Sequence, residues 1–122
     1  MEPNYETEPA ITVDRGRHRL RIHRSTLRRL DNPSFVRLLV NPEEKGIVVE
    51  RCSASETGAF RLIGESERKH SMEVYSPTLV EEISRCGGFD QYKTVKLFGR
   101  QIRGQNAVFF RMDENPEYGY PM

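Results

Sequence analysis

Tryptophan is absent and cysteine occurs twice, at Cys52 and Cys86, in no metal-ligand spacing. A small chain with so few thiols lacks the dense cysteine framework of a secreted disulfide scaffold and suits a reducing compartment. The three histidines, His18, His23 and His70, are scattered, with neither HxxxH nor CxxC beside them, so no metal ligand set is expected. Long apolar runs are missing too. Nothing approaches the roughly 20 apolar residues of a membrane helix, and the acidic stretch from Met1 to Ala10 does not read as a signal peptide. A cytoplasmic protein without a membrane partner is expected. No nucleophile with a base and orienting group stands out, and Glu43-Glu44 and Glu81-Glu82 read as solvated faces. The glycines at 87, 88, 99 and 104 fit turns and caps better than a phosphate-binding loop. The chain is therefore expected to be no enzyme and to use no cofactor.

What is present is one lean core and an uneven charge. With 36% hydrophobic residues in 122, there is too little apolar material for two independent globules. Formal net charge is only +1, yet Asp14 to Arg37 holds eight arginines (Arg15, Arg17, Arg19, Arg21, Arg24, Arg28, Arg29 and Arg37) against Asp14 and Asp31. That local balance of +6 leaves −5 for the remainder.

The order of elements repeats. Ile11 to Val13 and Leu20 to Ile22 read as strands around the turn Asp14-Arg15-Gly16-Arg17, with Gly16 placed to take positive φ. Leu27 and Leu30 mark a short helix that Ser25 or Thr26 can cap and Asn32-Pro33 stops. Phe35 to Val40 and Ile47 to Arg51 form a second hairpin around a polar loop. After the linker Ser53 to Gly58 the series returns: a strand at Ala59 to Ile63, a charged turn from Gly64 to His70, and a strand at Met72 to Tyr75. A helix opened by Ser76-Pro77 and closed by Gly87-Gly88 follows, then strands at Tyr92 to Phe98 and Ala107 to Met112 joined through residues 99–106. Leu20-x-Ile22-(x)3-Thr26-Leu27 is answered by Met72-x-Val74-(x)3-Thr78-Leu79.

The expected fold is thus mainly β with two short helices: tandem β-β-α-β-β repeats, 10–52 and 59–112, sharing strands in one barrel or sandwich because neither half can bury a core alone. Residues 1–9 and 113–122 are expected to be a flexible arm and tail.

The run Gly16-Arg17-(x)2-Leu20-x-Ile22-(x)4-Leu27-Arg28-(x)-Leu30 followed by a hairpin resembles the swapped-hairpin modules of the AbrB and SpoVT type. The tandem copy is similar to MraZ-like proteins. The resemblance covers roughly residues 10 to 112 and implies an interleaved, swapped-hairpin barrel that presents arginines to DNA, as transcription regulators and antitoxin-type proteins do.

Arg15, Arg17, Arg19 and Arg21 alternate, so a regular strand would line them up in a ridge that Arg24, Arg28, Arg29 and Arg37 extend. Such a ridge suits double-stranded DNA. Three readings stay open: nucleic-acid binding, pairing with second-half acids such as Glu65, Glu67, Glu73, Glu81 and Glu82, or contact with a protein partner, including a neighbouring copy in a homo-oligomer. The last class includes a phage or mobile-element inhibitor that sets its acidic half against a basic host protein. Tyr75, Tyr92 and Phe110 are expected on outer strand faces, and Tyr5, Tyr118 and Tyr120 in the arms.

Overall fold

A computed structural model describes residues 8–62 and 71–119. Nine strands make one sheet: β1 (Ala10–Asp14), β2 (Arg19–Ile22), β3 (Phe35–Asn41), β4 (Gly46–Arg51), β5 (Ala59–Arg61), β6 (Met72–Tyr75), β7 (Thr94–Gln101), β8 (Ala107–Arg111) and β9 (Glu117–Tyr118). Helix α1 (Arg24–Arg29) follows β2, and α2 (Pro77–Gly87) follows β6. Neighbours run β5-β3-β4-β8-β7-β1-β2-β6, with β9 added to β7. The sheet curls nearly into a barrel, open between β5 and β6, the two ends of the series.

Every antiparallel seam between the two halves of the chain joins a strand from each: β1 to β7, β2 to β6, β3 to β5 and β4 to β8. Replacing β1–β4 by β5–β8, and the reverse, turns the β1·β7 seam into β5·β3 and the β3·β4 hairpin into β7·β8, and returns β2·β6 and β4·β8 to themselves. Loop closures correspond as well: Arg51 N–H donates to Asn106 C=O (2.8 Å), and Met112 N–H to Lys45 C=O (2.8 Å).

Alternation fixes the inner face. Leu20 and Ile22 of β2, Ile11 and Val13 of β1, Val95 and Leu97 of β7, Ile47 and Val49 of β4, and Val108 and Phe110 of β8 are buried in one cluster. Helix α2 closes one side with Val80 and Ile83, each contributing about 1.5–3 kcal/mol by burial. Its ends are those that the sequence announces: Ser76 Oγ accepts from Leu79 N–H (3.2 Å), Pro77 opens the first turn, and Gly88 takes the left-handed cap at φ 70°. Helix α1, at six residues, is too short to persist alone. Burial of Leu27 and Thr26 holds it, and the Thr26 hydroxyl accepts from Ala10 N–H (2.9 Å) and donates to Ala10 C=O (2.7 Å).

Several local expectations are corrected. His23, not Ser25 or Thr26, occupies the α1 N-cap, without a side-chain bond; the Thr26 hydroxyl is committed to β1. In the first turn His18, at φ 57°, takes the left-handed conformation expected of Gly16. Strand β7 starts at Thr94, not Tyr92, and runs on through Gly99 and Arg100, where the sequence pattern predicts a loop. Gly99 is needed there because a Cβ would stand 2.6 Å from Phe109 C=O. Glu117 and Tyr118 do not belong to a loose tail: as β9 they pair with β7, and the Tyr118 ring stacks on Tyr92 at 4.1 Å. Phe110 is buried, and its neighbour Phe109 takes the outer face. The turn from Gly64 to His70, with Ile63, Tyr5 and Tyr120, lies outside the described residues. Among the described residues no helix is long and apolar enough to cross a membrane.

Candidate nucleic-acid interface

Inward Leu20 and Ile22 turn Arg19 and Arg21 to the outside of β2. Their partners are fixed by register: Arg19 stands between Asp14 and Tyr75, Arg21 between Thr12 and Glu73. Glu73 spans the two guanidiniums, with Oε1 accepting from Arg19 Nη1 at 3.0 Å and Oε2 from Arg21 Nη2 at 3.4 Å. Asp14 adds a second acid, 3.6 Å from Arg19 Nε and 3.5 Å from Arg17 Nη1. A second-half carboxylate therefore neutralises first-half arginines, one of the three readings open for this charge.

The eight arginines do not form one ridge. Strand pairing ends at Asp14, so Arg15 and Arg17 belong to the turn and leave the alternation; Arg15 Nη1 donates to Asp90 C=O at 2.9 Å. Arg37 sits on β3, where Glu50 and Glu56 hold it; the Glu50 hydrogen bond raises its pKa. Arg29 is half-buried, and its backbone carbonyl accepts from Gln101 Nε2 at 3.0 Å. Arg24 and Arg28 remain exposed one helical turn apart on α1, their side chains without an ion-pair or hydrogen-bond partner among the described residues.

Sequence reasoning missed the groups that join α1 to the sheet. On β7 the outward residues are Thr94, Lys96, Phe98 and Arg100, since Val95, Leu97 and Gly99 point inward. Across the sheet a row runs Glu73, Arg21, Thr12, Lys96, Glu117. The Lys96 amine lies 5.2 Å from the Phe98 ring centroid. His23 Nε2 is 2.7 Å from Thr12 Oγ1. Burial, then the charges of Lys96 and Arg21, lower the His23 pKa to about 4, so the imidazole is neutral at pH 7 within a positive surround. The period-two pattern TVKLFGR would have placed Lys96 and Arg100 on this face, had its outward side been read.

Two clefts meet at Phe98. One, of about 470 Å³, is lined by Glu8, His23, Arg24, Ser25 and Lys96. The other, of about 340 Å³, lies between Phe98, Arg100 and Phe109 and also reaches Glu8. The site thus sets Arg24, Lys96 and Arg100, with Glu8 among them, beside two partly exposed phenyl rings. It offers bidentate and point-charge contacts to anionic oxygens. Among the described residues no group of three His, Cys, Asp or Glu side chains is placed to hold a metal ion. No family model, no curated protein and no solved structure matches the chain.

Proposed function

We propose that this protein is a non-catalytic, cytoplasmic DNA-binding regulator, comparable to the AbrB and MraZ type, built from two diverged copies of one ββαββ unit. The exchange of seams supports the duplication, although the β1·β2 hairpin has no counterpart, since β5 and β6 are not paired among the described residues. The binding reading rests on one observation: the Arg24 and Arg28 side chains of α1 stand free of partners among the described residues, and Arg24 lines a cleft together with Lys96. Phosphates would dock on these cations by displacing counterions, so binding weakens as salt rises. Arg19 and Arg21 join this surface only when Glu73 yields them, which an exposed pair permits at low cost.

The test is a gel shift with random duplex DNA across a salt series. Replacing Arg24, Arg28 and Lys96 together by Gln flattens the log–log salt slope by about 3, one unit for each lost cation. Absence of duplex binding at every salt concentration overturns the reading. A second reading, an inhibitor that docks on a basic protein, draws on Glu81 and Glu82, which are exposed on α2 with no partner among the described residues. It is favoured if Glu81→Lys and Glu82→Lys abolish capture of a basic partner while the chain ignores DNA.

A further inference from the structure

The two clefts that share the Phe98 ring have a use that duplex docking leaves idle. A duplex presents phosphates and groove edges, and its base faces are stacked inside. A single strand presents base faces as well, and proteins that hold one combine a cationic track with aromatic rings on which the bases stack. The outer face of β7 and β8 has that composition in that order. Arg24 and Lys96 flank the first cleft, Phe98 divides it from the second, and Arg100 stands opposite Phe109 in register beyond. The Lys96 amine lies 5.2 Å from the Phe98 ring centroid, so a base would stack on the ring by displacing it or on the face that it leaves open.

The second cleft adds acceptors and an amide. Glu8, Glu114 and Asn115 line it together with Phe98 and Phe109. Carboxylates repel a phosphate but accept from the N–H groups of unpaired bases, thymine N3–H included, and an amide can pair with a base edge. Phosphates would lie on Lys96, Arg24 and Arg100 and a base against a phenyl ring, with Glu8 lining both clefts. Its volume of about 340 Å³ falls within the range of small-ligand clefts, about 300–1,000 Å³. A second cleft on the other side of Phe98 favours a strand of several nucleotides over one free nucleotide.

We infer that the Lys96–Phe98–Arg100 strip and Phe109 bind a single-stranded nucleic-acid segment, with unpaired bases stacked on the two phenyl rings. This rests on the nucleic-acid reading above and narrows it to unpaired strands at this face. The test is fluorescence anisotropy of the full chain with labelled oligothymidylate and with a duplex of equal length. Phe98→Leu, which keeps apolar bulk and removes the ring, is expected to weaken oligothymidylate binding about fivefold or more, to weaken duplex binding by far less, and to preserve the melting temperature. Phe98→Tyr keeps the affinity; if Phe98→Leu unfolds, Phe109→Leu gives the same reading. Duplex binding without oligothymidylate binding overturns the inference and leaves the regulator reading standing. Failure to bind either removes both. Equal loss of the two affinities on Phe98→Leu, or thymidine monophosphate competing as well as the oligomer, also overturns it.

Discussion

Thr26 is the residue on which the cationic helix depends, and its replacement separates hydrogen bonding from packing. Its side chain is fully buried, accepts from Ala10 N–H and donates to Ala10 C=O. The carbonyl keeps a second donor, His23 N–H at 3.1 Å, so an isosteric Thr26→Val leaves the Ala10 N–H as the orphan. Ala10 is only 3% exposed, and an unsatisfied buried donor costs about 1–3 kcal/mol. Thr26→Val is therefore expected to lower unfolding free energy by about 2 kcal/mol, or on the order of 8 °C in Tm for a chain of this size. Thr26→Ser keeps the hydroxyl and loses one methyl, a loss of about 1 kcal/mol. Urea titration followed by far-ultraviolet circular dichroism reads both values. A Val variant within about 0.5 kcal/mol of the native chain, or a Ser variant less stable than the Val variant, would refute the assignment of the hydroxyl.

Other consequences are equally direct. Glu73→Gln releases Arg19 and Arg21, so duplex affinity rises several-fold by anisotropy while stability changes by less than about 1 kcal/mol; an unchanged affinity separates these two arginines from the DNA face. Because His23 has a folded pKa near 4 against an unfolded value of about 6.5, the unfolded chain binds the extra proton between them. His23 therefore takes stability away as pH falls from about 6.5 to about 4, and an NMR titration of its ring with a midpoint near 6.5 would contradict the burial argument. Gly99→Ala, whose Cβ meets the Phe109 carbonyl and the Phe110 ring at 2.6 Å, should cost about 2 kcal/mol or more. Gly88→Ala, with open space but φ 70°, should cost about 1 kcal/mol, and equal losses in urea titration would count against the steric account of Gly99.

Local signals were legible in the sequence and long-range ones were not. Helix α2 could be read from Ser76-Pro77 and Gly88 because capping involves neighbours in the chain. The hairpins β3–β4 and β7–β8 also announced themselves, although β7 was displaced because Thr94-Val-Lys-Leu-Phe continues through a glycine that looks like a stop. Gly99 is there for the close approach of β8, which no local pattern reveals. In Phe109-Phe110 two identical residues must face opposite ways, and only the pairing with β4 and β7 decides which is inside. The charge excess between Asp14 and Arg37 was visible, but its division was not: Glu73 reaches Arg19 and Arg21 across 54 and 52 residues. The strand at Glu117–Tyr118 eluded pattern reading for the same reason. Two residues have no periodicity, and the Tyr92 ring that holds Tyr118 lies far back in the chain.

The seams that bind each half to the other make the exposed connection from Ser53 to Gly58 a natural place to divide the molecule. A fragment ending there carries β1 to β4 but none of the strands that flank β1 at β7, β2 at β6, β3 at β5 and β4 at β8. Each piece alone would be a set of unmatched ribbon edges, and the two mixed would reconstitute one body, so the chain has the makings of a split-protein complementation pair.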